Sequence, residues 1–356
     1  MKRSRVVVVV CLGGGLIALV LWGSDQLFRY VEAWRLGYYV DWMDDRVSSF
    51  EGQPRSLSRA GVAAVTKVVG EEHTAGRWRV GTEFTPLDLG SHGGKSISHA
   101  ISDSGQILAT TGLGRAARAY LVDRSGRVPI EPKGFMSVHP MAMNAAGLVA
   151  LHAETLSLHH TYRAMTWSRA GGARELAVLF PRGDSYAADI SDDGRVVGNA
   201  MAADGSRRAV LWLPDGTIRD LGLPPGAGAA YARRICAKRV LVELSMTAND
   251  ENRIAFWSEG SGFSILRLPH SAPFLFSATD RGDVLYSAGA YKSRTYHIAT
   301  SGGEVRDLPE TIPNDFGRPT HANYSALNER GQVSGYVVWQ EGDHLARRGF
   351  LLTPVH

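Results

Sequence analysis

Short apolar strands alternate with polar turns along most of this chain, and the alternation itself repeats. The clearest unit reads Asp189-Ile190-Ser191-Asp192-Asp193-Gly194-Arg195-Val196-Val197-Gly198, then Arg208-Ala209-Val210-Leu211-Trp212, then Asp215-Gly216-Thr217-Ile218-Arg219-Asp220-Leu221. β-Branched runs such as Val196-Val197 favour strands. The polar stretch between them carries Asn or Asp two or three residues before a glycine. Glycine takes the positive φ that such turns need, and the Asn or Asp side chain closes them with local hydrogen bonds. The first turn of the unit recurs at Gly105, Gly147, Gly194, Gly282 and Gly331, and the second at Ser125-Gly126, Asp215-Gly216 and Gly302-Gly303. The pattern predicts two linked hairpins, hence four antiparallel strands, per unit.

An arginine opens the third strand of each unit: Arg118, Arg163, Arg208, Arg253, Arg294 and Arg348. Three intervals of 45 residues are followed by intervals of 41 and 54. A four-stranded unit of this length is the size of a propeller blade. The fourth copy, Ile235-Cys236-Ala237-Lys238-Arg239-Val240, lacks the turn glycine and is expected to turn differently. The sixth copy stops after its third strand, and a lone half-unit, Phe84-Thr85-Pro86-Leu87-Asp88-Leu89-Gly90, precedes the first copy. Pairing that half-unit with the sixth copy would close the ring and remove two sheet edges. The predicted fold is therefore all-β, a six-bladed β-propeller over residues 83–356 closed by an N-terminal strand.

The run Asp88-Leu89-Gly90-Ser91-His92-Gly93-Gly94-Lys95-Ser96, followed by Ala100-Ile101-Ser102-Asp103-Ser104-Gly105-Gln106, resembles the HAF-type extracellular repeat family. The resemblance covers about residues 83–352. Two departures are an Arg-Ala in place of His-Ala before the tryptophan strand and the missing glycine of the fourth copy. It implies a secreted or surface-exposed β-repeat domain and brings no catalytic residues with it.

Upstream the hydropathy pattern changes. Lys2, Arg3 and Arg5 precede an uncharged stretch from Val6 to Gly23, near the short end of what spans a bilayer as a helix. Basic residues on that side predict a signal anchor (residues 1–23) with the remainder outside the cytoplasmic membrane; a cleaved signal peptide is the competing expectation. Leu27, Val31, Trp34, Tyr38 and Trp42 then recur at helical spacing, predicting a juxtamembrane amphipathic helix over residues 24–50. Its aromatic stripe suits a membrane interface or a homo-oligomeric contact through residues 25–50. Residues 51–82 are expected to connect, with a short helix or strand near Val62 to Val69.

Composition narrows the function classes. The chain holds 356 residues with a formal net charge of +4 and only two cysteines. One of them, Cys11, lies in the apolar stretch, so Cys236 has no internal disulfide partner and packing must stabilise the fold. Basic residues spread at the repeat period make no nucleic-acid stripe. Gly-x-Ser-x-Gly, His-Glu-x-x-His and the phosphate-binding loop are all missing, and no cofactor or metal is implied. Residues repeated once per blade, such as the arginines and Trp167, Trp212 and Trp257, are expected to be framework. Candidate binding residues lie on connections, which carry function on rigid scaffolds. They are His92, His152, His160, Tyr186, Tyr231, His321, Tyr324 and His344, expected on one loop face. These observations predict a non-catalytic binding or scaffolding module for a protein or glycan. The alternative is a propeller enzyme acting on cell-envelope glycans, its paired carboxylates drawn from different blades.

Overall fold

The computed structural model describes residues 7–12, 15–20, 37–45, 47–48, 56–69, 71–90, 95–112, 117–156, 160–247, 251–271, 273–289, 294–312, 320–341 and 344–355. It is an all-β propeller of seven blades. Blade 1 comprises Val47–Ser48, Val62–Val69, Glu72–Arg79 and Thr85–Pro86. Blade 2 comprises Ser96–Ile101, Ile107–Thr111, Arg118–Asp123 and Gly126–Ile130, and blade 3 Phe135–Met143, Val149–Thr155, Tyr162–Ser168 and Gly172–Glu175. Blade 4 comprises Ser185–Ile190, Val196–Met201, Arg207–Trp212 and Ile218–Asp220, and blade 5 Ala227–Cys236, Arg239–Met246, Asn252–Ser258 and Gly262–Ile265. Blade 6 comprises Phe274–Ala278, Val284–Ala288, Thr295–Ala299 and Val305–Asp307. Blade 7 joins Thr320–Leu327, Val333–Glu341 and His344–Pro354 to Tyr38–Asp45 from the other end of the chain, with Thr311–Ile312 on its inner edge. The four main strands of a blade are called A to D in sheet order.

Two local devices recur because the repeat encodes them. The A–B turn is closed by a residue whose carbonyl accepts the N–H of the glycine three positions on, as in Ser102–Gly105, Asn144–Gly147, Ser191–Gly194, Thr279–Gly282 and Asn328–Gly331. The side-chain oxygen of that first residue also accepts the N–H four positions on, as Asn144 does from Leu148 and Ser191 from Arg195. Three residues before the turn, strand A carries a register shift in blades 2 to 7, at His99, Met141, Ala188, Arg233, Phe276 and Ser325. A bulge at that place sharpens the twist of the innermost strand. Blade 5 turns without glycine, and Ala237 takes φ +52° in its place.

Each sheet packs face to face on the next. Leu211, Val242 and Leu244 meet between blades 4 and 5, and Leu241, Phe256, Val284 and Tyr286 between blades 5 and 6. Trp212 is fully buried and its indole Nε1–H donates to the Ala177 carbonyl at 2.7 Å. Trp167, Tyr120 and Phe350 are buried at related places, and each such aromatic contributes much of its blade's packing. Three of the periodic arginines, Arg163, Arg208 and Arg348, are occupied by the framework. Arg163 donates to the Pro181 carbonyl at 2.7 Å and pairs with Glu175 at 3.2 Å; Arg208 pairs with Asp204 at 2.8 Å. Arg348 donates to the Met43 carbonyl at 3.1 Å and stacks 5.1 Å over Trp42.

Three expectations are corrected. The ring has seven blades, not six, because the segment read as a connector is itself a blade. Ser58 and Gly61 make the same turn as the later copies, and Trp78 is buried in the blade that follows. The closing strand is Tyr38–Asp45, which pairs Trp42 with Phe350 and Val40 with Leu352. The half-unit near residue 84 instead finishes its own blade: Thr85 pairs with Arg77 and Leu87 donates to the Ala75 carbonyl. The predicted helices also fail. Among the described residues there is no helix, and none long and apolar enough to cross a membrane. Val7–Leu12 and Gly15–Val20 are paired antiparallel strands. Tyr38 and Trp42 satisfied a helical spacing, but with Val40 between them they also satisfy period two, and sheet closure selects that reading. Residues 21–36, with the rest of the expected juxtamembrane stripe, lie outside the described residues.

Candidate functional site

Antiparallel strand order places the A–B turns at one end of the axis and the B–C and D–A connections at the other. At the connection end, the facing sheets of blades 3 and 4 hold a shelf of imidazole and phenol rings. His139 of strand A and His152 of strand B are cross-strand partners, and their rings stack with centroids 5.1 Å apart. Tyr186, from strand A of blade 4, meets the His152 ring edge-on at 5.1 Å and stacks on Tyr162 at 5.2 Å. Arg207 lies over the other side of Tyr186, 5.0 Å from the ring centre, and its guanidinium is held by Asp184 at 3.1 Å. Glu154 closes the shelf edge, 3.0 Å from His160 Nδ1.

Burial sets the electrostatics. It lowers the pKa of His152 to about 3 and that of His99, on the neighbouring blade, to about 4, with the imidazole of His139 adding in both cases. His139 is also lowered by burial, against the opposing pull of Glu154. Burial, and then the Asp184 carboxylate, raise the Tyr186 phenol. At neutral pH the shelf is therefore uncharged imidazole and phenol, flanked by the carboxylates of Glu154, beside His160, and Asp184, paired with Arg207. Hydrogen bonds fix the rings: Thr110 Oγ1 lies 2.8 Å from His99 Nε2, and Ser137 Oγ 3.0 Å from His139 Nε2. Such a surface can stack against a ring and exchange neutral hydrogen bonds.

The opposite end of the axis differs. There the A–B turns of all seven blades enclose a cavity of about 510 Å³. Its charged groups are engaged with one another and with the backbone. Arg59 bridges Asp103 at 3.3 Å and Asp280 at 2.7 Å, and Arg234 reaches Asp280 at 3.1 Å. Asp103, Asp192 and Glu329 each accept a backbone N–H from the preceding blade, from Arg59, Ala145 and Asp280 respectively. These bonds stitch blade to blade.

Of the residues expected on one loop face, the structure brings His152 and Tyr186 into the shelf and His160 to its edge. Tyr231 belongs to blade 5, where Arg233 stacks on it at 5.3 Å and pairs with the buried Glu243 at 2.6 Å. Tyr324 is framework: it is 1 % exposed, and its hydroxyl donates to the Pro309 carbonyl at 2.7 Å. His321 is exposed on the first strand of blade 7, opposite Thr311. His344 begins the strand His344–Pro354, and His92 lies outside the described residues. His99, His139, Tyr162, Asp184 and Arg207 were missed. A usable signal existed for one of them: the residue five before each A–B turn residue is Ile97, His139, Tyr186, Tyr231, Phe274 and Asn323. Among the described residues the shelf histidines form no group of converging metal donors.

No family model matches the sequence, and no curated protein matches it. Solved structures do. A streptogramin B lyase is 12% identical with a TM-score of 0.54, over 88% of this chain and 97% of that one. A catalytically inactive variant of virginiamycin B lyase from Staphylococcus aureus, with quinupristin, is 11% identical with a TM-score of 0.51, over 89% and 100%. Puromycin hydrolase is 14% identical with a TM-score of 0.52, over 86% of this chain and 53% of the longer enzyme. At such identities the likeness shows the propeller fold alone.

Proposed function

We propose that this propeller is a non-catalytic binding module whose working surface is the shelf between blades 3 and 4. The observation that carries the reading is the stacked, uncharged set His139, His152, Tyr162 and Tyr186 at the connection end of a rigid ring. Half-buried stacked rings beside polar groups suit a hydroxyl-rich cyclic ligand, so a cell-envelope glycan is the favoured class. The resemblance to the HAF-type repeat, and the basic-then-apolar start of the chain, support a location outside the cytoplasm. Fractionation with protease protection tests that location; a purely cytoplasmic pool would overturn it.

Three of the neighbouring propellers bear the names of a lyase and a hydrolase, which keeps the enzymatic alternative in view. Glycan cleavage needs two carboxylates free to exchange protons. The two beside the shelf, Glu154 and Asp184, are held by His160 and Arg207, which favours binding over turnover. A glycan array probed with the full chain, alongside product analysis on the same glycans, separates the two. Binding lost in Tyr162→Ala and Tyr186→Ala but kept in Tyr231→Ala, without product, supports the module. Product formation abolished by Glu154→Gln or Asp184→Asn would establish the enzyme instead.

A further inference from the structure

On the other side of the ring, two imidazoles and a carboxylate converge where blade 6 faces blade 5. His297 lies on strand C, Asp307 on strand D, and His270 on the connection leading from blade 5. One ligating atom from each lies within 4.8 Å of the others. The His297 side chain is 4% exposed, while that of Asp307 is 82% exposed. The group is thus anchored inside and open outside.

Each ring is already oriented by a hydroxyl. Thr295 Oγ1 is 2.8 Å from His297 Nε2, and the Tyr286 hydroxyl, on a fully buried residue, is 3.0 Å from His270 Nδ1. That leaves one nitrogen on each ring, and His297 Nδ1 is the one facing Asp307 Oδ1, at 2.8 Å. Second-sphere hydrogen bonds of this kind fix the tautomer and aim of metal-bound histidines. The His270 and His297 rings lie 3.8 Å apart and nearly parallel, a placement that disfavours two imidazolium charges and favours neutral ligands.

We propose that His270, His297 and Asp307 form a binding site for a borderline divalent cation, with zinc the best match. Two imidazole nitrogens and one carboxylate oxygen suit that ion, and the open side of Asp307 leaves room for water as the fourth ligand. Calcium and magnesium are disfavoured, because they take mainly oxygen ligands. Closure around the ion asks His270 to turn out of the stack while the strand residues His297 and Asp307 stay in place. The site is independent of the glycan shelf, which belongs to other blades.

The test is titration of metal-stripped full-length protein with zinc sulfate by calorimetry, repeated with cobalt(II) chloride to read the visible bands of a tetrahedral site. One equivalent is expected, unaffected by excess magnesium. Asp307→Asn, an exposed change that spares the core, should weaken binding at least tenfold and alter the cobalt spectrum; His270→Ala should abolish the saturable event. A matched control, His321→Ala, should bind like the parent. The proposal is overturned if the parent shows no saturable binding, or if Asp307→Asn and His270→Ala bind as it does.

Discussion

The two ends of the propeller axis are built on opposite plans. At the turn end, nearly every polar residue belongs to a position that recurs from blade to blade, and its hydrogen bonds run to the neighbouring blade: Ala145 to Asp192, Arg59 to Asp103, Asn328 to the Ser58 carbonyl. At the connection end the equivalent positions differ between blades. His139, Tyr186 and Tyr231 occupy one register position, and only the first two assemble with His152 and Tyr162 into a shelf. Symmetry-related residues are consumed in holding the ring together. Chemistry becomes available where the repeat is broken.

The comparison is tested hardest by removing the parts that close the ring. Deleting residues 37–45 strips blade 7 of its outer strand and the packing of Trp42 on Phe350, 5.8 Å apart. The loss should exceed the roughly 3–5 kcal/mol of a single buried aromatic, and thermal denaturation should show a broad, early transition. Deleting residues 85–90 should be milder, since it removes a two-residue outer strand and the buried Leu89 but leaves the ring closed; equal effects would contradict the closure. Next in size is Asp189→Ala. Asp189 accepts the Ile235 N–H at 2.9 Å and faces the buried Arg234. Its loss leaves a buried cation undercompensated, at a cost of about 3 kcal/mol in urea unfolding, with little effect on shelf binding.

The shelf should instead announce itself through pH. His99 and His152 are held neutral in the folded protein, at about 4 and about 3, against 6.5 for a free imidazole. Their contribution is intact above pH 6.5. As pH falls below that value the unfolded chain binds protons that the folded chain refuses, so stability declines toward the folded pKa values. The slope is at most about 1.4 kcal/mol per pH unit for each histidine. Replacing His152 with Gln should flatten the curve between about pH 6.5 and about 3; an unchanged slope would show that its imidazole is not shielded as described.

Smaller effects belong to the turns. Ala237 takes φ +52° in the shorter, glycine-free turn of blade 5, so Ala237→Gly should raise stability by about 0.5–1 kcal/mol, whereas Gly194→Ala should lower it by a similar amount. Arg59→Ala removes two exposed ion pairs and should cost under about 1 kcal/mol, less at high salt. A larger, salt-independent loss would mean that the turn end depends on Arg59 far more than its exposure implies.

Particular residues show why the first blade escaped detection. Gly61 precedes Gly105 by 44 residues, and Trp78 precedes Trp167 by 89, close to two repeat lengths. Both signals were legible. The arginine used to count copies is replaced there by Thr74, and a short strand A made the segment read as a connector. Ring closure was legible in kind, as a strand borrowed from the N-terminal side, but not in place. The shelf was half legible: His152 and Tyr186 stood out by residue type, whereas His139 and Tyr162 looked like ordinary strand residues.

By itself the sequence determined the unit: four antiparallel strands, their turn chemistry, and which faces are apolar. Those properties follow from neighbours a few residues apart, through period-two patterning and the φ demands of tight turns. Blade number, the identity of the closing strand, and the meeting of His152 with Tyr186 and of His270 with His297 were decided only in three dimensions. The reason is that ring closure and face-to-face packing depend on the twist and spacing summed over all the sheets, a global quantity that no single repeat contains.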